Sequence, residues 1–246
     1  MSAQREGTPA STGAGAMVLA AGRGERMRPL TDHCPKPLLA VRGKPLMQWH
    51  LEALAEGGIR RVVVNTAWLG GEIEQAFGDR FAAAGATVAV DYSHEGRDFG
   101  GALETAGGIA RALPMLDDVF WVVAGDVYMP GFRFHHEAAE RFRQGSALAH
   151  LFLVPNPAHN PRGDFGLLPS GLLCNEAPLR HTYSTVGLYR RALFDGLAAG
   201  NPEGVKAPLA PMLRQAADNG RLTGELWTGP WTDVGTPERL ANLNTP

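Results

Sequence analysis

The amino-acid sequence predicts an α/β fold, a Rossmann-like arrangement of three layers in which a mostly parallel, mixed sheet lies between helices. Strand and helix patterns alternate through the first half of the chain, which is typical of parallel strands joined by helical crossovers. The strand segments are short apolar runs, as expected for strands buried on both faces. A chain of 246 residues with 44% hydrophobic residues can bury one sizeable core.

The elements of the first half follow in a regular order. Predicted strands cover 17–21, 61–66, 87–92 and 119–124, and predicted helices cover 45–56, 70–77 and 105–113. Pro45 suits the first turn of a helix, and Gly57-Gly58 ends that helix. The segment R-V-V-V-N-T at 61–66 is strongly β-branched, which favours a buried strand.

The second half is less regular. We expect strands over 147–154 and 182–189, and a Pro- and Asn-rich loop over 156–162. A hairpin is predicted over 165–173, turning at Pro169-Ser170-Gly171. A helix is predicted over 208–217, and a last strand runs from Gly224 to Asp233.

The loop after the first predicted strand has the composition of a phosphate-binding site. Gly22 and Gly24 let the backbone turn sharply and approach a ligand closely. Four cations follow within a short segment: Arg23, Arg26, Arg28 and Lys36. Backbone amides and clustered cations are the groups that bind a triphosphate. The dinucleotide fingerprint is excluded because Met27 takes the place of its third glycine, and the P-loop pattern is absent.

This stretch, L-A-A-G-R-G-E-R-M-R-P-L-T followed by P-K-P, resembles the signature of sugar-1-phosphate nucleotidylyltransferases without a gap over 19–37. Further segments resemble one group of that family, the N-acetylmuramate-1-phosphate uridylyltransferases of cell-wall recycling. They are N-T-A-W-L-G at 65–70, L-E-T-A-G-G-I at 103–109, N-P-A-H-N-P-R-G-D-F at 156–165 and W-T-D-V-G-T-P-E-R-L at 231–240. The resemblance covers nearly all of the chain after Ala16. It implies the nucleotidyltransferase fold as a single domain over 16–246, with a small sugar-binding lobe mainly from 155 onward.

The resemblance also implies a reaction and a set of site residues. An NTP, UTP in this group, and a sugar 1-phosphate would give a nucleotide sugar and pyrophosphate. Arg26 and Lys36 fall on catalytic cations of the family. The nucleotide is expected to contact Leu19, Ala20, Ala21, Gly22, Gly24, Glu104, Thr105 and Gly107, and the sugar phosphate is expected to contact Asn156, Asp164 and Lys206.

Two aspartates are predicted to bind Mg²⁺, which neutralises the charge that nucleotidyl transfer moves onto the departing pyrophosphate. Asp126 follows a buried strand, directly after Gly125, and Asp233 lies in W-T-D-V-G-T. The resembled family has metal-binding aspartates at both places. Asp117 and Asp118 precede their strand, at the opposite edge of the sheet, so we expect them in a solvated turn.

The nucleobase and the sugar stay open at this point. Glu104 stands where mannose-1-phosphate guanylyltransferases have glycine, and a carboxylate there can accept hydrogen bonds from guanine too. A guanylyltransferase for mannose 1-phosphate, or an enzyme for a heptose or glucose 1-phosphate, is therefore an alternative. A metal-dependent glycosyltransferase is disfavoured because G-D-V-Y lacks the D-x-D of that class. A non-catalytic regulatory subunit is disfavoured because the cations and both aspartates are present.

Composition narrows the partners and the location. The net charge is −2 and there is no basic tract, so we expect neither nucleic acid nor membrane as a partner. The eight histidines and two cysteines lack zinc-site spacing. Residues 1–15 are predicted to be a disordered leader without the apolar segment of a signal peptide. We therefore expect a cytoplasmic monomer or small homo-oligomer.

Overall fold

A computed structural model of the protein describes residues 14–83 and 85–245. The strands are β1 (Ala14–Leu19), β2 (Ala40–Val41), β3 (Lys44–Pro45), β4 (Arg61–Thr66), β5 (Arg80–Ala83), β6 (Ala86–His94), β7 (Leu116–Ala124), β8 (Val127–Tyr128), β9 (Ala149–Val154), β10 (Gly166–Leu167), β11 (Leu173–Cys174), β12 (Thr182–Arg190), β13 (Leu222–Leu226) and β14 (Thr232–Asp233). The helices are α1 (Leu46–Glu56), α2 (Gly70–Phe77), α3 (Glu95–Phe99), α4 (Glu104–Ala112), α5 (His136–Gln144), α6 (Ala210–Asp218) and α7 (Pro237–Asn244).

Eight of these strands form the central sheet, in the order β13-β9-β12-β7-β1-β4-β6-β5. Strands β7, β1, β4 and β6 run parallel to one another, and β13 is parallel to β9. Strand β12 is antiparallel to both of its neighbours, and β5 is antiparallel to β6. The predicted mostly parallel, mixed sheet is confirmed, and its four central parallel strands end at one edge.

Side chains alternate across the sheet into two apolar cores, as the two-residue period of a strand requires. On β7, Phe120 and Val122 belong to the core on one face, whereas Trp121 and Val123 belong to the core on the other. Helices α4 and α6 contribute to the first core, and α1, α2 and α5 contribute to the second. The sheet therefore lies between two helical layers.

A third, smaller apolar cluster includes part of the loop after β1. It joins Met27, Val41, Leu46, Tyr128 and Val234, all of them buried. Met27 thus anchors the loop after β1, at the position where a dinucleotide fingerprint would have glycine. This cluster ties that loop to the chain around β14, which is more than 200 residues later in the sequence.

The predicted elements agree with this fold except at particular places: Asp117 and Asp118, expected in a solvated turn, lie within β7. Elements 61–66 and 70–77 are confirmed, and the predicted hairpin is the β10–β11 pair. The last predicted strand, 224–233, is wrong: the structure has β13 and β14 there, belonging to different sheets. Of the predicted leader, residues 1–13 lie outside the described residues, and Ala14 and Gly15 belong to β1. Within the described ranges no helix has the length and apolar character of a transmembrane span.

Candidate active site

A cavity of about 650 Å³ lies at the carboxyl ends of β1, β4 and β7. Ligands bind at this edge of open α/β sheets. The wall on the sheet side is formed by Leu19, Ala21, Gly22, Asn65, Glu95, Ala124 and Asp126. The start of α4 adds Glu104 and Thr105 to this wall, and the wall on the other side includes Asp164, Phe165, Tyr183, Thr185, Leu209, Leu213 and Arg214. Residues far apart in the sequence thus line one space.

The loop after β1 has a fixed, folded path. Ala20 N–H donates to the side chain of Asn65 at 2.8 Å, which draws the backbone out of the sheet. Gly24 has a φ of +68°, a conformation that favours glycine, and its carbonyl accepts from Thr31 Oγ1 at 2.8 Å. Ala20 is buried, whereas Gly22 is exposed toward the cavity.

Two of the four loop cations are held by local partners. Arg23 lies over the ring of Trp68 and donates to Thr31 O and to Asp32. Arg28 is exposed and donates to Asp32 at 2.8 Å. These contacts hold both guanidinium groups to the loop itself.

Arg26 extends toward the C-terminal part of the chain instead. An added Cβ on Gly235 would lie 3.5 Å from Arg26 Nη2 and 3.3 Å from Asp233 Oδ2. The ends of the Arg26 and Asp233 side chains thus lie beside the same residue, together with Arg239 Nη1 at 2.9 Å from that added Cβ. Arg26 is exposed and lies at the rim of the site rather than in the cavity wall.

Lys36 is buried and forms an ion pair with Asp126, with 2.5 Å between Nζ and Oδ2. Its Cβ packs where Gly24 lacks one, and Pro37 packs against Gly125. The P-K-P segment therefore packs between the loop after β1 and the end of β7. This packing directs the ammonium group to the carboxylate.

Asp233 is brought beside Asp126 by a short antiparallel pair. Residue 233 of β14 lies opposite Val127 of β8, and Val234 N–H donates to Asp126 O at 2.9 Å. The carboxylate of Asp233 accepts from Arg239 and lies 3.3 Å from His159 Nε2. Among the described residues, no group of three or more His, Cys, Asp or Glu side chains could hold a metal by itself. The two aspartates would bind a metal only together with other oxygen ligands.

The start of α4 forms the end of the cavity that the sequence analysis assigned to the nucleobase. Glu104 is exposed, lines the cavity and has a φ of +60°, which is strained for any residue but glycine. Gly107 lies behind the wall: its N–H donates to Ala207 O at 3.1 Å, and its carbonyl accepts from Asn201 at 3.1 Å. Its polar groups are thus engaged within the protein, and Gly107 makes space for Val205 O, which an added Cβ would meet at 2.5 Å.

Asp164 is the predicted sugar-side residue that lines the cavity. It accepts from Tyr183 N–H at 2.8 Å and faces the amide of Asn160. Asn156 lies behind it, where its amide donates to Arg180 O and its oxygen accepts from Thr182 Oγ1 at 2.9 Å. Lys206 is exposed and, like Asn156, is not part of the cavity wall.

The sequence analysis missed two groups of cavity residues. Arg214, on α6, supplies the only ammonium or guanidinium group among the described residues that line the cavity, and it lies over the ring of Phe165. Asn65 and Glu95 form a buried polar pair at the sheet-side wall. Asn65 lies in N-T-A-W-L-G, and Arg214 ends V-K-A-P-L-A-P-M-L-R at 205–214, a segment that also resembles the family, but no pattern marked Glu95.

The fold and this site define a class of protein, and a family model described as nucleotidyl transferase matches residues 15–245. The chain belongs to this family, and it is a sugar-1-phosphate nucleotidyltransferase.

Individual relatives within the family show a more specific similarity. The chain is 49% identical over 233 residues to the N-acetylmuramate alpha-1-phosphate uridylyltransferase of Neisseria meningitidis serogroup B, covering 92% of this chain and 94% of that one. It is 30% identical to the protein of the same name from Caulobacter vibrioides, covering 91% and 92% of the two chains. The solved UDP-glucose pyrophosphorylase from Acinetobacter baumanii superposes with a TM-score of 0.73 at 15% identity, over 94% of this chain and 92% of that one, a likeness of fold.

Proposed function

We propose that the protein transfers a uridylyl group from UTP to N-acetylmuramate 1-phosphate, giving the UDP-sugar and pyrophosphate, in the recycling of cell-wall sugars. The observation that carries the proposal is the shared cavity, in which the loop after β1, Asp126 and the start of α4 face Asp164 and Arg214. The names of the two relatives supply the substrates.

The nucleotide would bind along the sheet-side wall. Backbone groups of Leu19, Ala21, Gly22 and Gly24 would contact the triphosphate, and Arg26 would hold its β,γ end. The N–H group of Ala20 is already engaged by Asn65, so Ala20 would support this loop from behind. Glu104 and Thr105 would face the uracil. Gly107 would support this segment from behind, through the close approach of Val205 described above.

The transfer needs no protein nucleophile because the attacking sugar phosphate is already an anion. Its oxygen forms a bond to the α-phosphorus of UTP, the bond from that phosphorus to the bridging oxygen breaks, and pyrophosphate leaves with the electron pair. Lys36 would stabilise the charge that develops on the α-phosphate. Positioning and electrostatic stabilisation therefore account for the catalysis.

The family generally uses a divalent metal ion, and we propose Mg²⁺ held by Asp126 and Asp233. The donor set fits, because Mg²⁺ prefers oxygen ligands and is commonly bound by one or two carboxylates together with substrate phosphates. When bound, the ion would neutralise phosphate charge. The pairing of β14 with β8 keeps the two aspartates adjacent.

Arg214 favours a sugar phosphate that carries a second acid group. N-acetylmuramate bears a lactyl carboxylate, which N-acetylglucosamine lacks. An arginine beside the apolar side chains of Phe165 and Leu213 suits a carboxylate on a short apolar stem. Asp164 would accept hydrogen bonds from sugar hydroxyl groups, and Asn156 would hold the loop that carries Asp164. Lys206 would meet the sugar phosphate only at the exposed edge of the site.

The test is pyrophosphate release with MgCl₂ in a grid of substrates. N-acetylmuramate, N-acetylglucosamine, mannose and glucose 1-phosphates are each combined with UTP, GTP, dTTP, CTP and ATP. We expect turnover with UTP and the muramate sugar. Turnover with another pair, such as GTP and mannose 1-phosphate, would contradict the proposed substrates but not the proposed reaction. No pyrophosphate release from folded protein with any pair would favour a regulatory subunit. A cytoplasmic location and a monomer or small homo-oligomer remain predictions.

A further inference from the structure

Four polar groups form a continuous chain of hydrogen bonds within the sheet-side wall. Ala20 N–H donates to Asn65 Oδ1 at 2.8 Å, and Asn65 Nδ2 donates to Glu95 Oε1 at 2.6 Å. Leu103 N–H donates to Glu95 Oε2 at 2.7 Å. The chain thus runs from the loop after β1 to the residue before Glu104, and so it connects the two segments to which the nucleotide is assigned.

The direction of every hydrogen bond in this chain is fixed by its ends. A backbone N–H can only donate, so Asn65 must turn its oxygen toward Ala20 and its amide nitrogen toward Glu95. Leu103 N–H also only donates. Both oxygens of Glu95 therefore accept, an arrangement that suits the ionised carboxylate because it has no proton of its own to place.

Burying the Glu95 carboxylate lowers the stability of the folded protein. Glu95 is fully buried, and burial raises the pKa of its carboxyl group, an effect that its two hydrogen bonds and the charge of Arg111 oppose. Helix α4 also accommodates it with a glycine, since an added Cβ on Gly108 would lie 2.4 Å from Glu95 Oε1 and 2.9 Å from Asn65 Nδ2. Glycine within a helix is less stable than alanine, so the helix is weakened to make room for the pair.

We propose that Asn65 and Glu95 are positioning residues that hold the triphosphate loop and the start of α4 in register for the nucleotide. The inference rests on the proposed function, because it takes both segments to bind one NTP. The pair acts through the backbone of Ala20 and Leu103. Its loss therefore affects nucleotide binding more than sugar-phosphate binding.

The fixed donor and acceptor directions of these hydrogen bonds allow a specific test of the proposal. In E95Q, the new amide cannot accept from both Asn65 and Leu103, so a donor must face a donor somewhere in the chain. In N65D, two carboxylates face each other. In N65D/E95Q, the new carboxylate at position 65 accepts from Ala20 N–H and from the new amide at position 95. The oxygen of that amide accepts from Leu103 N–H, so every hydrogen bond returns and the net charge of the pair is kept.

The experiment measures UTP affinity by calorimetry with MgCl₂, both KM values and unfolding by urea. We expect E95Q to weaken UTP binding about tenfold, the effect of one unsatisfied buried group, with the KM for sugar phosphate changed less than about twofold. The double variant should bind UTP more tightly than either single variant. The matched control is S93A, since Ser93 is paired with Asn65 in the sheet register and its buried hydroxyl has no partner among the described residues.

Three outcomes would overturn the inference: unchanged UTP affinity in E95Q, equal rises in both KM values, or a double variant no better than E95Q. Should E95Q fail to fold, the double variant decides, and weak UTP binding by folded N65D/E95Q would contradict the inference. Failure of the proposed function is distinguishable, because wild-type protein would then neither bind UTP nor release pyrophosphate.

Discussion

The two walls of the cavity hold their polar groups differently. On the sheet side, the ends of β1, β4 and β7 position backbone groups and Asp126, and buried partners fix them: Asn65 for Ala20 and Lys36 for Asp126. On the sugar side, loops, the antiparallel β12 and α6 supply side chains such as Asp164 and Arg214. Strand β12 has a register irregularity between Tyr183 and Gly187, and within it Thr185 has a φ of +67°.

The difference follows the chemistry of the two ligands. Every NTP brings the same triphosphate, so one rigid set of donors at the parallel strand ends would serve for any nucleobase. The sugar varies between relatives, and side chains on loops can change without altering the sheet. The sheet side should therefore determine the rate, and the sugar side should determine which sugar reacts.

The largest expected effect is on the sheet side. Replacing Lys36 by alanine removes the cation proposed to stabilise the transferring phosphate, and Asp126→Ala removes a proposed metal ligand. Each should lower kcat by about 10²–10³-fold, by analogy with the loss of one preorganised donor. The measurement is pyrophosphate release by protein whose unfolding transition is intact.

Arg28→Ala is the matched control for these variants, because the ion pairs of Arg28, with Glu25 and Asp32, stay within its own loop. We expect it to keep turnover within about threefold of wild type. An equal loss in Arg28→Ala and Lys36→Ala would show that general charge, rather than position, matters.

On the sugar side, Arg214→Ala should raise the KM for N-acetylmuramate 1-phosphate by about tenfold, since a hydrogen bond to a charged group is worth about 1.5–3 kcal/mol. The KM for N-acetylglucosamine 1-phosphate should change little, because this sugar has no lactyl carboxylate. Arg221→Ala is the control, since Arg221 is exposed and donates to Ser146 O. Equal changes in KM for both sugar phosphates would show that Arg214 does not select the sugar.

The free energy of unfolding should depend on pH through His150, which lies on strand β9 of the central sheet. Burial on β9 lowers the pKa of His150 to about 4, whereas an unfolded histidine has a pKa near 6.5. Between these values the unfolded chain binds the proton more strongly, so stability falls as pH falls from about 6.5 toward 4. At pH 5 the loss is about 2 kcal/mol relative to pH 7.

Urea unfolding of wild type and His150→Gln at pH 5 and pH 7 measures this term. The variant should lose less stability on acidification than wild type, because glutamine does not titrate. Identical pH dependence in the two proteins would contradict the assignment.

The smallest expected effect concerns Glu104. Glutamate at a φ of +60° costs about 1 kcal/mol, so Glu104→Gly should stabilise the fold by about that amount. The same variant should discriminate UTP from GTP less well, because it loses the carboxylate proposed to lie at the base. Glu104→Ala keeps the backbone strain and loses the carboxylate, so it should lose discrimination without the gain in stability. A Glu104→Gly variant with wild-type nucleobase preference would rule out a role in base selection.

Much of the sheet side could be predicted from the sequence, because local patterns carry it. The loop motif and the strands at 61–66 and 119–124 needed no tertiary information. Strand β1 nevertheless begins and ends earlier than 17–21, since Ala20 leaves the sheet to donate to Asn65. That contact is to a residue 45 positions away and has no local signal.

The sugar side and the chain termini were harder to predict for the same physical reason. The segment 224–233 reads as one strand, but W-T-G-P-W interrupts it, and β13 and β14 join different sheets. Helix α7 was missed although Thr236 caps it and Pro237 occupies its first turn, because D-V-G-T-P was interpreted first as a metal-binding loop. Glu95 and Arg214 are single charged residues whose places in the cavity depend on the folded chain.

Each aspartate proposed to bind the metal already has a cation beside it, Lys36 at Asp126 and Arg239 at Asp233. The protein thus carries its own counter-ions, and an incoming metal–nucleotide complex replaces internal ion pairs with contacts of similar charge. Metal-bound UTP is itself an anion, so the loaded site is more negative than the free one. A consequence is that metal and phosphate should bind cooperatively, since the metal takes over the two carboxylates and leaves Lys36 and Arg239 free for phosphate oxygens.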